Sequence, residues 1–253
     1  GSAVVNRLAK AGHAVIAFDQ AETPLFWLGK QLEREGLSAR LALGSIRDRA
    51  RVEEVMRTAR VVIHAAALKH VGACEAHVCE AIKTNVEGTA NVLGAARKRR
   101  IRVVLVSTDK AVKPTSVMGA TKTLAEWLTG HRPDNRIVRL VNVWGSHGSL
   151  LPVVEEQIRA GGPVTVTDRR MARYFMTSDE AAEIIMEHAL DVTKYHIAVL
   201  ATDIGRQPEL VIDEINAILK ARGVPDMEVI ETGMQPGEKL VEDLCTADEM
   251  AGG

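Results

Sequence analysis

An α/β fold built on a doubly wound parallel sheet is what this 253-residue sequence predicts, on three observations. Apolar runs of strand length alternate with runs of helical periodicity through the first 143 residues, which argues for a parallel sheet covered on both faces. One run, "RVVLVS" (102–107), is continuously apolar, as a strand buried on both faces should be. Small and polar residues gather just after the apolar runs, at Asp19, Gly44–Ser45, Ala65–Ala67, Ser107–Lys110 and Asn142. Ligands in such sheets sit beyond the carboxyl ends of the strands.

The elements follow in order. "GSAVVNRLAKAG" opens with an amphipathic helical pattern, and "HAVIAFD" (13–19) reads as a strand ending in an acid. Pro24 suits a helix start, with Leu25, Leu28 and Leu32 at helical spacing. "ARLALG" (39–44) is a second strand, "ARVEEVMRTA" a helix and "RVVIHAAA" (60–67) a third strand. A single long helix is expected from about Cys74 to Arg99. After the fourth strand (102–107), a helix is expected over about 117–129, and "RIVRLVNV" (136–143) is a fifth strand. Beyond Val143 the elements shorten. "SLLPVVEEQIRAGG" reads as a helix, "PVTVTD" as a short strand, and "TSDEAAEIIMEHAL" as a helix whose Thr177 or Ser178 and Glu180 suit a capping box. The division expected is a dinucleotide-binding part over 1–144 and a smaller substrate-binding part over 145–253, interleaved with it.

Composition narrows the function. The formal charge of −1 gives no general affinity for nucleic acid or anionic membrane. Three irregularly spaced cysteines make no disulfide framework, so a reducing cytoplasm is the simpler location. No apolar run is long enough to span a membrane. "CEAHVC" (74–79) matches no common zinc spacing, so no metal site is expected. "RKRR" (97–100) reads as the solvated end of a helix, where cations complement the dipole. A dinucleotide fold also needs a first strand and a glycine-rich turn before its first helix, and neither is in this sequence. Gly1 is either the last glycine of that turn, or Gly1–Ser2 is a remnant of cloning. Asp19, at about the distance the fingerprint expects, favours the first reading. These residues alone are then expected to bind dinucleotide poorly.

Five stretches carry a family likeness: "HAAALKHV" (64–71), "EAIKTNVEGTANVL" (80–93), "VSTDKAVKPTSVMGATK" (106–122), "VTVTDRRMARYFMT" (164–177) and "QPGEKLVEDL" (235–244). Together they resemble the UDP-N-acetylglucosamine 4,6-dehydratase group, the polysaccharide-biosynthesis branch of the extended short-chain dehydrogenases/reductases. The resemblance implies a Rossmann-like sheet, a bound NAD (or NADP), a UDP-sugar substrate and a homo-oligomer. It also implies a reaction: C4 of the sugar is oxidised, the C5 proton leaves, the C6 hydroxyl departs as water, and hydride returns to C6.

By the same resemblance Asp109 and Lys110 fill the acid and base roles of the elimination, unassigned between them. Lys122 lies one helical turn after Met118, which stands where the family usually has tyrosine and can carry no proton. Lys122, or a water held with Thr108, is expected to handle the C4 hydroxyl proton, while Met118 packs against sugar or nicotinamide. Asp19 is expected at the adenosine ribose, repelling a 2′-phosphate and so favouring NAD. Gly1, Ser45, Ile46, Ala65, Ala66 and Ala67 are expected around the cofactor, with Asn85 supporting the active-site backbone. Ser45–Ile46 replaces an acid common next to the adenine. Lys69, His70, Asn142, Arg173, Gln235 and Glu238 are expected on the substrate side, with Arg173 pairing with diphosphate. Gln235 and His147 stand where arginine is usual. A UDP-sugar C4-epimerase and a catalytically silent nucleotide-binding protein are the competing readings.

Overall fold

The computed structural model describes residues 1–146, 148–191, 197–199, 206–247 and 249; His147 lies outside them. Helix α1 (Ser2–Lys10) leads into strand β1 (Ile16–Asp19), α2 (Glu22–Arg34), β2 (Arg40–Leu43), α3 (Arg49–Val55) and β3 (Val61–His64). Strand β4 (Arg102–Thr108), α7 (Val117–Gly130) and β5 (Arg136–Leu140) complete the first half. Between β3 and β4 the single long helix expected from the sequence is broken into α4 (Val71–Ala76), α5 (Val78–Ala81), a π-helical turn at Ile82–Glu87 and α6 (Gly88–Arg99). The break falls at His77, whose φ of −130° and ψ of 58° leave the helical region.

All strands of this half are parallel. β3, β4, β5 and β10 (Ile197–Val199) form one sheet in the order β10-β5-β4-β3, whereas β1 and β2 form a separate pair. The parallel array is thus interrupted between β1 and β3. Helix α1 spans the interruption. Val4 packs with Val104 and Val138 of the larger sheet, and Val5 and Ala9 pack with Ala17 of the smaller sheet and Leu25 of α2.

Strand β4 shows why its sequence is apolar without alternation. Val103 joins Val52, Val92 and Ala96 on the α3/α6 face, while Val104 joins Val4 and Ile185 on the α1/α9 face. Val103, Val104 and Leu105 have no exposed surface. A truncation such as Leu105→Ala should therefore cost about 2–5 kcal/mol.

The remaining chain returns to this frame and adds a second core. The expected strand over 136–143 divides at Val141. The segment after it, β6 (Asn142–Val143), pairs with β9 (Phe175–Met176) instead of extending β5 along β4. Helix α9 (Ser178–Leu190) starts at the capping box read from the sequence, with Thr177 and Glu180 bonding reciprocally. It packs back on α1 and β3–β5. Helix α8 (Leu150–Arg159), β7 (Val164–Val166), β8 (Ala172–Arg173), β11 (Glu209–Leu210), α10 (Val211–Ala221) and β12 (Val229–Glu231) surround the second core. It contains Val154, Val164, Ile215 and Leu219. Among the described residues no helix is long and apolar enough to cross a membrane.

Candidate active site

Because the large sheet is parallel, β3 and β4 end on one edge, and two pockets lie beyond strand ends. One is lined by Phe18, Asp19, Gln20, Gly44, Ile46, Ala65, Ala66, Ala67 and Thr84. The other is lined by Lys110, Arg173, Glu238 and Glu242 together with Val71, Thr115, Ser116 and Gly237.

The β4 end carries Asp109 and Lys110. Asp109 is fully buried in a short 3₁₀ turn. Its Oδ1 accepts hydrogen bonds from Thr108 Oγ1 and Lys110 Nζ, both at 2.9 Å, while the buried Oδ2 has no hydrogen-bond partner among the described residues. Lys110 Nζ also donates to Asn142 Oδ1 at 3.2 Å, so β6 supplies a second oxygen to the same ammonium.

Lys122 is 6% exposed, and its Nζ donates to Val106 O at 2.7 Å. Burial pulls its pKa down to about 8, and Glu126 opposes the shift only in part. Met118 is buried with Cys74 and Ala81, against Leu68, Val71 and Val117. Helix α7 approaches the pair closely at Gly119, where an added Cβ would lie 2.4 Å from the Lys110 carbonyl oxygen. Ser116 caps the helix by accepting from Gly119 N.

A buried polar network sits beneath the pair. The π-helical turn carries Asn85, which is 1% exposed. Asn85 Oδ1 accepts from Leu68 N at 2.8 Å, and Nδ2 donates to Leu68 O and Thr121 Oγ1 at 3.0 Å. Asn85 thereby fixes the backbone of Leu68, just beyond Ala65–Ala67. Thr89 Oγ1 donates to Asn85 O, so His64 Nε2, 2.9 Å away, is the donor to that hydroxyl. Burial, aided by the charge of Lys122, lowers the His64 pKa to about 3 and keeps the ring neutral.

In the first pocket Asp19 Oδ1 accepts from Ala21 N at 2.9 Å. Gly1, at the start of α1, is within electrostatic reach of Asp19. Ser45 Oγ bonds Gln20 Oε1 and accepts from Arg47 N. Ile46 is wedged against Gly88, where a Cβ would lie 2.6 Å from its Cδ1. These groups fit the adenosine half of a dinucleotide: a carboxylate at ribose height and apolar walls with little side-chain bulk.

Of the expected substrate-side residues, Arg173 and Glu238 line the second pocket, and Asn142 accepts from Lys110, which also lines it. Arg173 is not an open clamp. Its guanidinium donates to the carbonyls of Ala172, Lys239 and Leu240 and so holds the 239–240 segment. Lys69 Nζ stands 3.5 Å from Ser146 Oγ, its pKa lowered by burial. His70 packs against Gly148. Gln235 is exposed, and its backbone N donates to Glu238 Oε2. Sequence reasoning did not single out Glu242, Ser116 or Glu75, whose Oε1 accepts from Val117 N. Glu242 stood inside the "QPGEKLVEDL" motif, which was the one available signal.

Residues 1–252 match the polysaccharide biosynthesis protein family, and the chain belongs to that family. An uncharacterized membrane protein of Methanocaldococcus jannaschii is 38% identical across 99% of this chain and 78% of its own length. The capsular polysaccharide biosynthesis protein CapD of Staphylococcus aureus is 38% identical across 82% of this chain, a match spanning only 36% of CapD. The UDP-glucose 4-epimerase of Rickettsia rickettsii is 31% identical across 99% of this chain and 76% of the epimerase. Among solved structures, Pen from Bacillus thuringiensis superposes with a TM-score of 0.89 at 30% identity, covering 98% of this chain and 80% of Pen. A Thermus thermophilus UDP-glucose 4-epimerase solved with NAD shares the fold at a TM-score of 0.80 and 22% identity, over 99% of this chain and 88% of that one.

Proposed function

We propose that the chain is the catalytic part of an NAD-dependent UDP-N-acetylhexosamine 4,6-dehydratase. It acts in the cytoplasm, or at the cytoplasmic face of a membrane, in the synthesis of surface polysaccharide or glycan. The observation that carries this reading is the buried Asp109–Lys110 pair at the end of β4, hydrogen-bonded through one carboxylate oxygen with the other left without a partner. Elimination of water needs one group to take the C5 proton and another to protonate the departing C6 oxygen. Asp109 and Lys110 supply the two.

NAD, when bound, supplies reversible hydride acceptance from sugar C4 and return to C6. Asp19 would hold its adenosine ribose, and the acid disfavours a 2′-phosphate. Ile46 and Ala65–Ala67 would flank the adenosine half. Lys122, whose pKa of about 8 lets it hold or release a proton near neutrality, takes the C4 hydroxyl proton, directly or through water held with Thr108. Met118 acts by packing alone. Asn142, Lys69, His70, Arg173, Gln235 and Glu238 face the UDP-sugar, with Arg173 contributing a fixed positive wall. Pairing of two copies is supported by the exposed Leu124, Trp127 and Leu128 on α7 and by Val78 and Ile82 near α6.

A second reading, C4 epimerisation of a UDP-sugar, is favoured by the 31% identity to the rickettsial epimerase. Mass spectrometry of UDP-N-acetylglucosamine incubated with NAD and the full-length protein separates the two. The dehydratase product lacks one water, and an epimerase product does not.

A further inference from the structure

Lys110 has a second carboxylate neighbour besides Asp109. Glu242, from the segment after β12, is 6% exposed, and its Oε1 lies 3.7 Å from Lys110 Nζ. The same oxygen lies 3.9 Å from Arg173 Nη2, and Oε2 lies 3.8 Å from Lys239 Nζ. One buried carboxylate therefore stands among three cations. Lys239 has other partners, Val112 O at 2.9 Å and Asp243 at 3.2 Å, and Arg173 has its three carbonyls. Lys110 instead is held by oxygens from three separate segments: Asp109 in the turn after β4, Asn142 in β6 and Glu242 in the C-terminal segment. An ammonium has three donors and sits on a flexible stem, so two hydrogen-bonded oxygens and a carboxylate 3.7 Å away together set where it points.

We propose that Glu242 is a positioning residue for the reaction, its buried carboxylate holding the charged Lys110 ammonium against Asp109 from the C-terminal side of the pocket. This rests on the reading that Asp109 and Lys110 carry the chemistry. Asp109, Asn142 and Glu242 face Lys110, and Arg173 and Lys239 share Glu242 with it. Without the Glu242 charge the ammonium is held from two sides only, by Asp109 and Asn142.

The test is Glu242→Gln in the full-length protein, which keeps the shape of the side chain and removes its charge. Lysines reductively methylated with ¹³C are observed by NMR, with Lys110 assigned by its absence in Lys110→Arg. The Lys110 resonance is expected to move in Glu242→Gln, because the ammonium loses one of the groups that place it, and to move less in Glu242→Asp, which decides the matter if Glu242→Gln does not fold. Turnover of UDP-N-acetylglucosamine with NAD should show kcat reduced about tenfold and KM within about twofold of the parent. An unmoved Lys110 resonance, or a KM-only effect, would overturn the proposal and leave Glu242 a brace for Arg173. The NMR readout needs no turnover, so an inactive parent would count against the dehydratase reading while the resonance still decides the role of Glu242.

Discussion

Replacing Asn85 with alanine tests whether the site is held from beneath. Asn85 makes three buried or part-buried hydrogen bonds, two of them to the backbone N–H and C=O of Leu68. Alanine leaves both Leu68 groups without their partner, at about 1–3 kcal/mol for each orphaned group. Thr121 is less affected, because its hydroxyl still donates to Met118 O. The 65–70 loop is only partly buried, so water can recover some of the loss, and about 2–4 kcal/mol is expected in total. Asn85→Asp keeps the acceptor for Leu68 N but buries a carboxylate with one oxygen against Leu68 O, so it should cost at least as much. Urea denaturation of parent and both variants gives the values directly. The loop also lines the proposed cofactor pocket, so Asn85→Ala should weaken NAD binding, read by isothermal titration calorimetry. A destabilisation below about 0.5 kcal/mol, within the range of ordinary surface substitutions, would refute the reasoning.

Three further outcomes follow from the same geometry. Lys122 has its folded pKa depressed to about 8 by burial, so the unfolded chain holds the extra proton above that pH. The stability of the parent relative to Lys122→Met should therefore rise between about pH 8 and 10.5, by up to about 3 kcal/mol, and a flat difference across that window in denaturant titrations would contradict it. His64 is held neutral with a folded pKa of about 3, so its contribution is present above about pH 6.5 and lost as the pH falls. Relative to His64→Gln the parent should lose about 1.4 kcal/mol per pH unit below 6.5, measured by acid unfolding followed by circular dichroism. Gly119→Ala forces a Cβ to 2.4 Å from the Lys110 carbonyl oxygen and should cost about 1–3 kcal/mol while displacing the acid–base pair. A thermal melt unchanged from the parent would count against that close approach.

Much of the frame could be read from local pattern. The capping box at Thr177 and Glu180, the doubly buried strand at 102–108 and the place of Asp109 and Lys110 just beyond it each depend on neighbours in sequence. The features that escaped depend on distant partners or on backbone conformation. Apolar spacing continues through 74–99, so nothing in it marks the break at His77 or the π-helical turn that turns Asn85 inward. The strand over 136–143 divides because Asn142 finds a partner in Phe175, a pairing that periodicity does not encode. Family likeness places Arg173 at the diphosphate, while its donation to three carbonyls of the chain itself is a long-range feature that motif position does not encode. Glu242 became visible only once the C-terminal segment was seen packed on the β4 loop.

The most direct test of the central claim is the product of the full-length protein acting on UDP-N-acetylglucosamine in the presence of NAD, analysed by mass spectrometry. The account predicts a nucleotide sugar that has lost one water, with Asp109→Asn and Lys110→Met each abolishing its formation. A sugar of unchanged mass inverted at C4, or substrate recovered intact with NAD bound, would contradict it.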